Sequence, residues 1–531
     1  MPLTLGALGW IDWGVLGAYG LMLLVSGLFI NRRKQHDTGD YFLAKRSMPS
    51  WAVAISVLAT AQSAATFVGV PESSYYGNLT YLSGTIGGIL AAVVLAWVFI
   101  PAFYRHECST PYQLLERRFG VRAKHAASVT YLIGRVFAGG ARVFIGSVPA
   151  SLILFGDVEP LHLVGGVVVM TTIGIGYTLA GGIRSVIWSD VLQATVYVGA
   201  AGGVLVYLVW LMPSDWSSII AAWREPGAGL ASKLTLIDVG IDPGKPLYGF
   251  DASKSFTLLT SVTGLMLLIV ASHGTDQDLV QRMLTCRSAK EGARSVIGGV
   301  LAGVPTVAVF LAIGLLLWVF YQRPDLTGRS VEAPSRMGLF VSFVMHHLPP
   351  GLGGLVMTGL FAAGLSTVNS TLNAMSSTFV TDLYRGWRPG HAEGHYLRVA
   401  RGGVVGAGVV LGGFASLCIL WYDPENNTLV EFALGVMSFA YAGLLGVFLT
   451  ALFTRFGNET SAVAALIAGF GVVLVMQPAV WVLLRTGLAG MVSLPEFKMA
   501  FPWQLVIGTC VATLVCLAGQ GRKVDPVSHG A

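Results

Sequence analysis

Apolar segments of about 20 residues recur along the whole chain, and each is long enough to cross a lipid bilayer as a helix. We recognise about thirteen of them, near residues 8–30, 50–70, 80–104, 128–155, 161–182, 186–212, 256–284, 294–321, 353–384, 396–421, 429–453, 460–484 and 502–519. The bilayer core holds no water to satisfy exposed backbone groups, so only helices and closed barrels span it. The segments therefore predict an all-α integral membrane protein that crosses a cell membrane, plasma or inner, many times and is surrounded by lipid.

The charged residues are few and unevenly placed. Only 11% of the 531 residues are charged, against about 25% in soluble domains, which leaves no room for a separate soluble domain. Most of the 33 Lys and Arg residues, Arg282 among them, fall in alternate loops, as the positive-inside rule requires. This bias predicts an outside N-terminus and a cytoplasmic C-terminus. It also accounts for the net charge of +6, which therefore does not indicate a nucleic-acid partner.

The segment at 355–387 is apolar but carries a row of small polar side chains. At 100° per residue, four of them share one narrow face: Ser366, Ser370, Asn373 and Ser377. In a helix the carbonyl of Ala363 points toward the side chains of Ser366 and Thr367, so these three residues could offer oxygens to one small cation such as Na⁺. A packing face of small residues between two helices would show the same pattern.

Two apolar segments are interrupted, and they occupy matching places in the chain. In the second segment, Gly69 and Pro71 follow a polar centre at 56–66, and in the seventh the apolar run halts at 272–275. The displacement between them is an odd number of segments, which reverses direction through the membrane. The pattern predicts an inverted repeat with two broken helices, whose unwound ends would bind substrate and ions at mid-membrane. A simple kink without a site is the alternative.

The predicted division of the chain follows from this repeat. It comprises a leading helix and loop at 1–49, a first five-helix repeat at 50–212, an extracellular loop at 213–255, a second five-helix repeat at 256–453, and two trailing helices with a short tail at 454–531.

Four stretches, in this order, resemble the sodium:solute symporter family. They read VLATAQSAATFVG at 57–69, GGIRSVIWSDVLQ at 181–193, GTDQDLVQRML at 274–284 and GLFAAGLSTVNSTLNAMSSTFVTDLY at 359–384. The resemblance extends over nearly the whole chain and implies a LeuT-like fold with a five-plus-five inverted repeat. It also implies Na⁺ as the coupling ion and a small-molecule substrate, and it leaves the oligomeric state open.

The resemblance implies a sodium site between the second and ninth segments. The ligands that it implies are the backbone carbonyls of Ala59, Gln62 and Ala363 and the hydroxyls of Ser366 and Thr367. Three of these, Ala363, Ser366 and Thr367, are also the residues that the helix geometry of 355–387 indicates independently.

Some family members bind a second sodium ion through an Asp near the start of the sixth segment. Asp190 fits this position, and its partners would be Ser366, Asn369 and Ser370. Asn369 stands where Asp or Ser is usual, although an amide oxygen can still bind a cation. A second ion therefore stays open, and a structural carboxylate near the cytoplasmic face is the alternative for Asp190.

The resemblance also implies a set of substrate contacts at the helix breaks and in the third segment: Ser63, Thr66, Phe67, Thr85, Ser272 and His273. In family sugar carriers, amides and a carboxylate hold the sugar hydroxyls. By an approximate alignment, Thr66 and Thr85 stand in those places here, which counts against a sugar. His273 could equally be a hydrogen-bonded structural residue.

The fourth segment carries two cations within the predicted span, Arg135 and Arg142, two helical turns apart on one face. A buried Arg is costly without an anion, and its guanidinium pairs well with a carboxylate. Both are candidate substrate-binding residues, and which of them faces the substrate stays open. We expect Arg142, which is nearer the middle of the membrane, to bind a carboxylate of the substrate. The alternatives are that Arg135 extends to the cytoplasmic interface and that Arg142 pairs with the backbone.

The sequence shows no phosphate-binding loop, no nucleophile elbow and no clustered acid–base set, so an enzyme is not expected. We expect a Na⁺-coupled secondary symporter that imports a small polar solute, an organic anion, by alternating access. The alternatives are a family symporter for a sugar, an amino acid or another neutral solute, and a channel-like or sensory membrane protein.

Overall fold

The computed structural model describes residues 9–31, 37–213, 215–225, 232–241, 249–333, 339–422, 428–477, 480 and 499–520. Parts of the predicted 213–255 loop and 460–484 segment, and the predicted cytoplasmic tail, lie outside these ranges. Within them the chain is helical, with two isolated β-bridges. The helices are α1 Trp10–Asn31, α2 Thr38–Leu43, α3 Ser50–Ala61, α4 Ala64–Tyr76, α5 Gly84–Val94, α6 Ile100–Arg105, α7 Tyr112–Phe119, α8 Val121–Phe155, α9 Pro160–Leu211, α10 Trp216–Arg224, α11 Leu258–Thr260, α12 Met266–Gly274, α13 Gln277–Leu284, α14 Ala289–Gln322, α15 Pro324–Thr327, α16 Leu339–His347, α17 Leu352–Thr378, α18 Arg385–Trp387, α19 Glu393–Trp421, α20 Leu429–Phe453, α21 Glu459–Val475 and α22 Phe501–Leu517.

Within the described residues, each predicted segment corresponds to mainly helical chain. Among the described residues, eight helices are long and apolar enough to cross a membrane, and two bent pairs bring this number to ten. The predicted first segment corresponds to α1, and the last two correspond to the shorter apolar helices α21 and α22. A total of thirteen crossings stays a prediction.

The second segment breaks between α3 and α4, whose axes differ by 60°. Gln62 ends α3 in an extended conformation, and Ser63, also extended, begins α4. Ser63 and Thr66 cap α4 reciprocally, because each side chain accepts the backbone N–H of the other residue. A small polar residue at the break therefore replaces the lost helical hydrogen bonds.

The seventh segment breaks between α12 and α13, which differ in direction by 59°. Asp276 caps α13, and its carboxylate accepts the N–H of Asp278 at 2.8 Å. The first break lies within its predicted stretch, the second begins at Thr275, the last residue of its predicted stretch, and the two occupy matching places in the two halves of the chain. The predicted pair of broken helices is confirmed.

One glycine separates the fifth and sixth segments without a loop. Gly182 has φ +59° inside α9, a left-handed conformation that a side chain would strain. The two parts, 160–179 and 182–211, are each long enough to cross a membrane. The second part carries Asp190 toward α3 and α17, against which α9 packs.

Candidate sodium and substrate site

A small cavity lies where the broken second segment meets α9 and α17. Its volume of about 10 Å³ is close to the room needed by a single water molecule. The residues on its wall are Leu58, Ala59, Gln62, Gln193, Ala194, Tyr197, Ala363 and Ser366. Four of the five predicted sodium ligands thus border one space of the right size for a small ion. The fifth, Thr367, is buried next to them.

The helix break releases backbone oxygens beside this cavity. In an unbroken helix, the N–H of Ser63 would donate to the carbonyl of Ala59. Here it donates to Oγ1 of Thr66 at 3.3 Å, while the N–H of Gln62 still donates to the carbonyl of Leu58 at 2.8 Å. The Ala59 carbonyl therefore leaves the helical hydrogen-bond ladder and is available to a cation.

The hydroxyls on α17 are already oriented by hydrogen bonds. Ser366 donates to Oδ1 of Asp190 at 2.6 Å, and Thr367 donates to the carbonyl of Ala363 at 3.2 Å. A hydroxyl that donates its hydrogen keeps oxygen lone pairs, which are what a cation requires. The arrangement fits Na⁺, which prefers hydroxyl and carbonyl oxygens.

Asp190 is fully buried, and both of its carboxylate oxygens are engaged. Ser56 donates to Oδ2 at 2.5 Å, Arg282 donates to Oδ2 at 3.1 Å, and Ser366 donates to Oδ1. The carboxylate thus joins α3, α13 and α17 to the small cavity.

The predicted second sodium set does not converge on one point. Asn369 lies beside Thr178, whose hydroxyl donates to Oδ1 of Asn369 at 3.4 Å. Ser370 donates to Oδ2 of Asp278 at 3.1 Å. Of the predicted partners, only Ser366 touches Asp190, so a second ion at these residues stays a prediction.

Arg282 is buried, not in a cytoplasmic loop as the sequence suggests. It pairs with Asp190 at 3.1 Å and also with Asp278, and the side chains of all three are fully shielded from solvent. A charged group this deep is stabilised only by close opposite charges. The prediction of a loop position for Arg282 is wrong because the chain bends by 59° before α13, which turns α13 back into the protein.

Arg135 does not extend to the interface either. Its guanidinium pairs with Asp276 at 2.9 Å and with Asp278, and its Nε and Nη2 donate to the hydroxyl of Thr371. Sequence reasoning missed Asp276 and Asp278 as functional residues. The available signal was two acids inside an apolar segment, which are costly there unless they are paired.

A second, larger cavity of about 190 Å³ lies between the broken helices. Most of its wall is apolar, and the rings of Tyr81 and Phe256 on the wall lie 4.6 Å apart. The predicted substrate residues on this wall are Thr85, Arg135, Arg142, Ser272 and His273. Gln62 borders both this cavity and the small one.

Three predicted substrate residues lie away from this wall. Ser63 and Thr66 cap α4. Phe67 is fully buried in an aromatic cluster, with its ring centroid 5.0 Å from that of Tyr197 and 4.8 Å from that of Phe310. The bend after Ala61 points this face of α4 into the core and not toward the larger cavity.

Arg142, unlike Arg135 on the same wall, has no ion-pair partner among the described residues. It is buried, with 8% of its surface exposed. Its guanidinium donates to the carbonyl of Thr60 at 3.3 Å and contacts Sδ of Met437 at 3.4 Å. In the part of the chain that the structure describes, no carboxylate oxygen lies within 4.0 Å of it.

Comparison with known proteins decides the family. Residues 41–469 match the model of the sodium:solute symporter family. The chain belongs to this family. It is 27% identical over 470 residues to the sodium/sialic acid symporter SiaT of Proteus mirabilis (strain HI4320), covering 88% of this chain and 89% of that protein. It is also 27% identical over 474 residues to the sodium/sialic acid symporter NanT of Aliivibrio fischeri (strain ATCC 700601 / ES114), covering 89% and 88%.

The fold is that of this family as well. A substrate-bound, outward-open structure of a Na⁺-coupled sialic acid symporter superposes with a TM-score of 0.79 at 23% identity, covering 97% of this chain and all of that one. The predicted LeuT-like, all-helical fold is confirmed. As a member of the sodium:solute symporter family, the protein is a multi-pass, sodium-coupled membrane transporter and not an enzyme.

Proposed function

We propose that this symporter carries a small organic anion, a monocarboxylate or an acidic sugar, whose carboxylate binds Arg142. The observation that carries the proposal is the buried guanidinium on the wall of the larger cavity, which has no acidic partner among the described residues. A buried charge is stable only when it is paired. A substrate carboxylate would supply the missing charge through two parallel hydrogen bonds.

The contacts that Arg142 already makes support this role. A carbonyl and a thioether satisfy single donors but do not neutralise the charge. Arg135, the other cation on the wall, is already balanced by two carboxylates. A substrate anion is therefore expected to prefer Arg142.

Gln62 gives a physical route for coupling to sodium. Its carbonyl is a proposed ion ligand, and its side chain lies on the wall of the larger cavity. Sodium bound by Ala59, Gln62, Ala363, Ser366 and Thr367 would order the break between α3 and α4. Substrate would then bind to a wall that is already in place, which is positive coupling between the two sites.

The direction of transport follows from the sodium gradient. An inward gradient drives import by alternating access, and in the proposed topology the N-terminus lies outside and the C-terminus in the cytoplasm. The two bacterial relatives are named for sialic acid, an acidic sugar, which favours an anion over a neutral solute.

A ligand screen by thermal unfolding tests the anion. The purified protein in NaCl is heated with carboxylates, neutral sugars, amino acids or nucleosides. We expect a carboxylate to raise the midpoint, since a ligand at 100 times its Kd stabilises the folded state by about 2.7 kcal/mol. The rise should shrink in Arg142→Lys, which keeps the charge without the two-donor fork, and vanish in Arg142→Ala.

The control is Arg224→Ala, which removes an exposed cation on α10 and should respond like the wild type. A neutral or cationic solute that stabilises the wild type and Arg142→Ala equally would contradict the anion proposal.

A further inference from the structure

Two residues on the wall of the larger cavity, Gln62 and His273, each carry a buried side-chain atom with no hydrogen-bond partner among the described residues. The atoms are Oε1 of Gln62 and Nε2 of His273. Because buried polar groups are nearly always hydrogen-bonded, two such residues on one cavity wall point to a ligand that satisfies them.

The contacts of His273 decide what its Nε2 can accept. Nδ1 lies 3.1 Å from the carbonyl oxygen of Ile269, which can only accept, so Nδ1 carries the hydrogen. Oγ of Ser272 lies 2.9 Å from the same nitrogen. A second positive charge beside Arg142 in a buried cavity is unfavourable, so the ring is neutral. Nε2 of this tautomer has a lone pair and no hydrogen, and it is an acceptor.

The Gln62 amide offers a second acceptor at the helix break. Its oxygen has no donor, while the backbone of the same residue ends α3. The wall of the larger cavity thus combines one unpaired cation with two acceptors. A simple aliphatic acid would satisfy the cation but would leave both acceptors without a hydrogen.

We infer that the substrate bears hydroxyl or amide N–H donors in addition to its carboxylate, with His273 and Gln62 accepting them while Arg142 holds the acid. This inference rests on the proposed function and narrows it from organic anions in general to hydroxylated or amidated acids. It makes His273 a specificity-determining residue, because the site rejects an acid that lacks the donors by leaving buried acceptors unpaired.

Matched pairs of acids test the inference on the whole protein. Binding in NaCl is measured for lactate against propionate, for gluconate against hexanoate, and for N-acetylneuraminate. We expect at least one donor-bearing acid to bind, and to bind at least tenfold more tightly than its donor-free counterpart where it has one. His273→Phe, which keeps a ring but loses the acceptor, should weaken that acid at least fivefold, as should Gln62→Leu. His273→Gln, which restores an acceptor, should recover part of the loss.

Where an acid of a matched pair binds, the wild-type comparison needs no variant to fold and decides the question by itself. Where N-acetylneuraminate alone binds, the variants at His273 and Gln62 decide it, and undiminished binding by both would overturn the inference. Equal binding of both acids of a pair, with binding lost in Arg142→Ala, would overturn this inference and leave the anion proposal intact. Failure of every acid to bind would overturn both. Retention of full discrimination between paired acids by a folded His273→Phe protein would remove His273 from the site.

Discussion

The hydroxyl of Ser366 donates a 2.6 Å hydrogen bond to the carboxylate of Asp190. Through Arg282, the same carboxylate is linked to Asp278, which pairs in turn with Arg135. One end of this buried charge network therefore lies at the proposed sodium cavity, and the other lies on the wall of the larger cavity. Sodium binding and substrate binding are expected to act on one connected set of side chains.

Removal of a hydroxyl ligand should weaken sodium binding and spare the fold. We expect Ser366→Ala and Thr367→Ala each to raise the sodium concentration for half-maximal uptake severalfold, because each removes one neutral oxygen from the ion. The control is Ser416→Ala on α19, whose hydroxyl donates only locally to the carbonyl of Gly412. Unchanged sodium dependence in the double variant would move the ion site elsewhere.

Asp190→Asn should affect sodium coupling more than folding. The half-saturating sodium concentration should rise clearly, and the thermal midpoint should fall only slightly. The amide loses the charge that holds Ser366, while Arg282 keeps its pairing with Asp278. Because Ser56, Ser366 and Arg282 already occupy the carboxylate, we expect a Hill coefficient for sodium near one in both proteins. A coefficient clearly above one that drops in Asp190→Asn would instead assign a second ion to Asp190.

Arg135→Ala should destabilise the protein strongly, because it removes the cation that pairs with buried Asp276 and leaves Asp278 with Arg282 alone. Breaking such a buried pair costs about 3–5 kcal/mol. The matched control is Arg323→Ala, which removes a partly exposed pair with Asp325 and should cost about 0–1 kcal/mol. Thermal midpoints measured without substrate give the comparison, and equal losses would contradict a structural role for Arg135.

The loop thiol of Cys108 provides a test by pH. Burial raises the pKa of Cys108 to about 12, so little reactive thiolate exists near neutral pH. In a protein whose other cysteines are Ala, we expect maleimide labelling to accelerate about tenfold per pH unit from pH 8 to 10. Labelling of the unfolded chain should level off near pH 9, about where an ordinary thiol has ionised. A native rate that levels off at the same pH would show that Cys108 is not buried.

Local chemistry made the breaks predictable, because the polar centre before Gly69 is a short-range pattern and the chain bends there. The i+3 and i+4 spacing from Ala363 is also a short-range pattern, and the sodium ligands that it indicates stay a prediction. The partners of Arg135 were not predictable in this way, because Asp276 lies 141 residues away in the chain. The 60° bend between α3 and α4 sets the direction in which Phe67 points. The periodicity of a helical sequence does not give the direction of such a bend.

Sodium-driven uptake into proteoliposomes is the most direct test of the central claim. The substrate is the radiolabelled organic acid that gives the largest rise in the thermal midpoint. We predict accumulation above equilibrium only with an inward sodium gradient, full accumulation with Arg224→Ala, and none with Arg142→Ala. Accumulation of the acid without a sodium gradient, or undiminished accumulation by Arg142→Ala, would contradict sodium-coupled anion transport through this site.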